Sequence, residues 1–258
     1  MILENSALAN RALLFGDAVN VSFFVHQGKL ILAEECYFYL MASMRKMRLP
    51  IPLNYTLEFF QSFFQEHIFN QGFSDGMIHF LVFRNNNPLE VNFHFDFEEK
   101  KDILGIQGNF EMDLIKELSV NTHFLSSIRV HSPENIYAEI YAKDNDLDDV
   151  IFLNPSKRIA RTIFGNLLFL EDNVIKIPKT TEGAYISPLM ESFVTFVHQN
   201  KLAEIQESEM IAFESQKAEE IIMISDPKGI FAVTKIRNKT FVSERFSEMI
   251  GKWKMSFA

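Results

Sequence analysis

Between Leu89 and Phe97 the chain alternates, with Val91, Phe93 and Phe95 apolar and Asn92, His94 and Asp96 polar. A period of two sends one set of side chains to a core and the other to water, the signature of a half-buried strand. Gly76–Arg84 reads as its partner across the Asn85–Pro88 turn. The segment Asn20–Leu32 repeats the pattern as strand, Gln27-Gly28 turn and strand, because β-branched and aromatic residues flank a turn glycine. The period then changes. From Glu34 to Arg48 the apolar residues Tyr37, Leu40, Met41, Met44 and Met47 recur at helical spacing, and Pro50 and Pro52 stop the helix. A second helix follows the N-cap candidate Thr56, carries Phe59, Phe60, Phe63 and Phe64, and ends before Gly72. Phe is abundant at 27 residues and Gly scarce at 10, which predicts aromatic cores and short loops and leaves no glycine-rich phosphate cradle.

The charged run Glu98–Asp102 and the weakly patterned stretch to Thr122 read as a loop and an interdomain crossing. Beyond it the patterns predict a helix over Pro133–Lys143, a buried strand Val150–Leu153, a turn at Asn154–Lys157, and a hairpin of Gly165–Leu170 with Val174–Ile177. Helices over Pro188–Asn200 and Phe213–Ala218, a strand Glu220–Ser225 and a helix Ser243–Met255 complete the series. The expectation is an α/β protein, with an α+β N-terminal domain over 1–115, a crossing at 116–126 and an α/β domain over 127–258.

A formal charge of -9, from 34 acidic against 25 basic residues, repels polyanions, and the basic cluster Arg45–Arg48 sits where a helix dipole favours cations. A nucleic-acid partner is therefore not expected. Cys36 is the single cysteine, which rules out a disulfide framework or thiolate metal site and suits a reducing compartment. The opening Met1–Asn5 carries an acidic residue at once and no positive flank, and no apolar stretch is long enough for a bilayer, so a cytoplasmic protein without membrane contact is expected. His94 and Asp96 share a strand face but have no third ligand, so no metal site is expected.

Several pieces in order resemble the class IV aminotransferases. Asn10-Arg-Ala-Leu-Leu-Phe-Gly-Asp17 looks like their opening signature, and Leu40–Met44 like the helix after their first hairpin. Asp148–Asn154, Gly165-Asn-Leu-Leu-Phe169, Thr181-Glu-Gly183, Gln216–Glu219 and Lys228–Thr234 are similar to landmarks of the second domain. The family includes branched-chain and D-amino acid aminotransferases and aminodeoxychorismate lyase. The resemblance implies the pyridoxal phosphate fold type IV and a homodimer.

The same resemblance places the cofactor positions, and the residues there have changed. The Schiff-base lysine slot falls at Arg129, or Ile128 with a different gap, in a run Leu125–Ala142 without lysine. A guanidinium neither forms a Schiff base nor acts as a base near neutral pH. The carboxylate that salt-bridges the pyridine nitrogen is replaced by Arg161, four residues before the Gly165-Asn166 landmark. The phosphate-binding arginine corresponds to Tyr39, the phosphate turn to Ser187-Pro188-Leu189, of which Pro188 has no N–H, and a Thr or Ser near the end to Ser225. The substrate-contacting Glu-x-x-Arg is replaced by Val21-Ser-Phe-Phe24. Tyr39, Arg129, Arg161, Asn166, Ser187, Pro188 and Ser225 thus outline a vestigial pocket, with no catalytic or cofactor-binding residue assigned. Two buried guanidiniums, Arg129 and Arg161, would call for an anion. The expected function is binding of a small anion or a protein partner without cofactor; the alternative is an active pyridoxal phosphate enzyme with a relocated lysine, for which Lys116, Lys143 and Lys157 are nearest in sequence.

Overall fold

The computed structural model describes residues 11–257. The opening Met1–Asn5 and the first residue of the Asn10–Asp17 signature lie outside them. The chain forms two compact units: one runs as far as Ile103 and takes back Ile128–His131, and the other holds Leu104–Ser127 and everything from Ser132 on.

The first unit opens with a short helix α1 (Arg11–Phe15) and the hairpin of β1 (Ala18–His26) and β2 (Lys29–Ile31). Gln27 and Gly28 both have positive φ, as a type I′ hairpin turn requires. Gly16 also has positive φ, and a Cβ there would lie 2.3 Å from the Cβ of His131. Asp17 accepts from Arg11 Nε at 2.8 Å and Arg84 Nε at 3.0 Å, so the Gly-Asp signature is explained by chain packing alone.

Helix α2 (Ala33–Lys46) buries Cys36, Tyr39, Leu40, Ser43 and Met44, a stripe rotated slightly from the expected one, since Tyr37 and Met47 stay partly exposed. Helix α3 (Leu57–His67) starts where Thr56 Oγ1 accepts from Phe59 N–H. Its Phe60 and Phe64 are fully buried beside Phe23 and Phe80, each contributing about 2 kcal/mol of burial. The expected strands follow as β3 (Gly76–Arg84) and β4 (Val91–Glu99), and the sheet order is β2-β1-β3-β4. Phe93 and Phe95 of β4 pack edge-on against Phe63 of α3.

The second unit corrects the reading of the stretch to Thr122 as loop. It contains β5 (Ile106–Ser119), a strand of 14 residues lying parallel to a later strand over its first half and to β6 (Asp149–Leu153) over its second. Phe110, Met112 and Leu114 alternate with Glu111 and Asp113, the strand period over a short span that follows the charged run and Gly105 and Gly108. Those carboxylates are held by Lys235 and Arg237, each at 2.7 Å and 124 residues away in sequence. Helix α4 (Pro133–Asp144) precedes β6, capped by Ser132 Oγ. A short β7 (Ile159–Thr162) follows the expected turn, where Asn154 Oδ1 accepts from Ser156 and Arg158.

Next come β8 (Asn166–Glu171), β9 (Val174–Pro178), α5 (Pro188–Gln199), β10 (Glu204–Ser208), β11 (Glu220–Ser225), β12 (Gly229–Ile236), β13 (Lys239–Thr240) and α6 (Glu244–Met255). The expected helix at Phe213–Ala218 is only a 3-10 turn over Ala212–Gln216. The sheet runs β10-β9-β8-β11-β12-β5-β6-β7, with β13 beside β12. Its core lies on both faces: Met112, Ile151, Leu167 and Ile221 share one cluster, and Val150, Phe152 and Ala160 share another with Ala138 and Ala142 of α4.

Candidate functional site

Five of the seven sequence-derived pocket residues, Arg161, Asn166, Ser187, Pro188 and Ser225, belong to the second unit; Tyr39 and Arg129 belong to the first. Tyr39 is a buried residue of α2. Arg129 is only partly buried, which corrects its reading as a buried guanidinium, and its carbonyl accepts from Asn20 N–H at 3.0 Å. Ile128 fills a buried apolar position.

Arg161 stands on β7 opposite Phe152, only 6% exposed. Its guanidinium carbon lies 4.3 Å from the ring centre of Tyr185 and 5.1 Å from that of Phe152. Its Nη1 donates to Asn135 Oδ1 at 2.9 Å and to the Thr162 carbonyl at 3.0 Å. Asn135 Nδ2 in turn donates to the Tyr185 hydroxyl at 3.0 Å. The cation is thus carried by two ring faces and two neutral acceptors, an arrangement worth about 2 kcal/mol for the desolvated cation–π contact alone. These neighbours answer part of the sequence-level demand for an anion.

The neighbouring polar groups are also engaged internally. Asn166 clamps the Tyr185 backbone, Nδ2 donating to its carbonyl at 2.8 Å and Oδ1 accepting from its N–H at 2.9 Å. Ser225 Oγ donates to the Phe164 carbonyl at 2.7 Å. Gly165 permits this closeness: a Cβ there would meet Ile224 O at 2.3 Å and Met223 Sδ at 2.4 Å. Ser187 caps α5, its Oγ accepting from Met190 N–H and donating to Asp226 Oδ1 at 2.6 Å.

The structure adds residues that sequence reasoning missed. Asn135 and Tyr185 fix Arg161, and Asp226 and Lys228 lie in the Ser-Asp-Pro-Lys-Gly segment between β11 and β12. Lys228 Nζ sits 3.5 Å from the ring centre of Phe164, closer to this cluster than sequence distance suggested. Beside the start of α5, Ile177, Pro178, Tyr185, Met190, Glu191 and Glu207 line a cavity of about 110 Å³. Partial desolvation, then the charges of Asp226 and Glu207, hold the surface-reaching Glu191 carboxyl above the usual range. Among the described residues, no cluster of His, Cys, Asp or Glu is arranged to hold a metal, and no helix is long and apolar enough to cross a membrane.

Fold and landmarks together define a protein of fold type IV. The family model for class IV amino-transferases matches residues 22–236, so the chain belongs to the class IV aminotransferase family. A protein described as a 4-amino-4-deoxychorismate lyase from Legionella pneumophila superposes with a TM-score of 0.85 at 17% identity, over 98% of this chain and 96% of that one. A branched-chain aminotransferase from Thermoproteus uzoniensis gives 0.86 at 13% identity, over 97% and 89%. The branched-chain amino acid aminotransferase from Escherichia coli gives 0.83 at 12%, over 96% and 88%. No curated protein matches the chain by sequence.

Proposed function

We propose that this chain is a class IV aminotransferase homologue that has left pyridoxal phosphate chemistry and acts by binding a small anion or a protein partner, as a homodimer in the cytoplasm. The observation that supports the reading best is the fixed cation of Arg161. The resemblance calls for a carboxylate there to keep the pyridine nitrogen protonated, and a protonated ring is what draws electrons from the substrate. A guanidinium wedged between Tyr185 and Phe152 and hydrogen-bonded to Asn135 disfavours a protonated ring beside it. The residues present therefore do not fit the cofactor. Ile128 and Arg129 offer no amine at the lysine slot. The buried, sole Cys36 suits a reducing compartment.

A second reading keeps the enzyme and moves its lysine. Lys228, lying against Phe164 in the turn after Ser225, is the amine that favours it. An absorbance spectrum with and without added pyridoxal phosphate, followed by borohydride reduction and mass mapping, separates the two. The binding reading expects no new visible band and no reduced adduct. A stoichiometric adduct on one lysine, Lys228 above all, would overturn it.

A further inference from the structure

The first backbone N–H groups of a helix have no partners within it. In α5 each is accounted for. Pro188 has no N–H, Leu189 N–H donates to Asp226 Oδ1 at 3.3 Å, Met190 N–H donates to Ser187 Oγ at 3.2 Å, and Glu191 N–H donates to the Ser187 carbonyl at 2.9 Å. Ser187 Oγ–H completes the ring by donating to the same Asp226 oxygen at 2.6 Å. Asp226 is 2% exposed and reaches this helix start from the turn between β11 and β12, 37 residues from Leu189. A buried carboxylate persists only with donors aimed at it, and the positive end of a helix supplies both donors and field. A phosphate group from outside would need the same donors and the same space.

We propose that Asp226 is a built-in anion that fills the anion site at the start of α5, so that phosphorylated ligands are excluded there and whatever this protein binds carries no phosphate at that point. The proposal rests on the reading above in taking this position to be free of pyridoxal phosphate. It adds the device that keeps it so, a carboxylate of the chain itself in contact with Leu189 and Ser187.

The test uses the full chain as wild type and as Asp226→Ala, titrated with inorganic phosphate against chloride at matched ionic strength. The Leu189 amide is followed by nuclear magnetic resonance alongside Tm. In wild type the Leu189 resonance stays still. In the Ala variant it moves saturably, and Tm rises by about 3 °C at tenfold excess over Kd. A saturable Leu189 shift in wild type, or none in a folded Ala variant, would overturn the proposal.

Should the Ala variant not fold, Asp226→Asn keeps the shape while removing the charge. The Glu191 carboxyl, held up in part by the Asp226 charge, then titrates lower than in wild type. An unmoved Glu191 titration would mean that no ionised carboxylate sits at 226, and the idea fails. A pyridoxal phosphate adduct in wild type without movement of Leu189 would sink the functional reading alone and leave the built-in anion standing.

Discussion

Asp149 is the buried acid with the clearest consequence. Fully enclosed at the start of β6, its Oδ1 accepts from Val150 N–H at 2.7 Å and Ile163 N–H at 2.9 Å, yet burial outweighs these bonds and pushes its carboxyl up to about 6. A value raised in the folded state means that the group's stabilisation is complete below about pH 4 and is lost as pH rises through about 6. Asp149→Asn keeps the accepting oxygen without the charge. It should stabilise the protein by up to about 3 kcal/mol at pH 7.5 and by nothing below pH 4, which urea denaturation across that range would check. Arg161 shows the opposite economy, a buried charge well served by its neighbours. Arg161→Ala removes two hydrogen bonds and both ring contacts and leaves Asn135 Oδ1 without that donor, so a loss of about 3 kcal/mol is expected in denaturant unfolding. A loss below about 1 kcal/mol would show that the rings carry little of the charge.

Among the elements, those with one strong period were legible and those whose surroundings supply the missing logic were not. Strand β4 and helices α2 and α3 follow their patterns because each buries one face, whereas β1, buried on both faces, was marked by its β-branched and aromatic residues and the Gln27-Gly28 turn. Strand β5 carries the same period over Phe110–Leu114, so that part was legible; its 14-residue length and the pairing of Glu111 and Asp113 with Lys235 and Arg237 were not, because those partners fold back from 124 residues away. The helix expected at Phe213–Ala218 stops as a 3-10 turn, with Glu214 turned back to the Ile211 N–H. The Gly165 landmark belongs to this scale too. The start of β8 runs so close to β11 that a methyl group would strike the Ile224 carbonyl, an atom that cannot step aside. Gly165→Ala should therefore cost about 3 kcal/mol, read as a fall in the urea midpoint; a near-neutral result would mean that β8 and β11 part easily.

For the molecule as a whole, the acidic balance has a direct reading. With a net charge of -9, the protein should leave a duplex DNA probe unshifted in an electrophoretic assay at 50–100 mM salt, conditions chosen to favour weak electrostatic binding. A retarded band would reveal a basic surface that the charge total conceals. The sequence by itself determined the family and most of the order of elements, because periodicity and ordered landmarks are local properties of the chain. Its landmarks proved to be scaffold: Gly16, Asp17, Gly165 and Asn166 are explained by close approach and hydrogen bonding. The tertiary structure alone decided which partners Arg161 and Asp226 meet. Arg161 meets Tyr185 and Asn135, and Asp226 meets Leu189, across 24 to 37 positions of chain. A charge takes its meaning from its neighbours, and only folding chooses them.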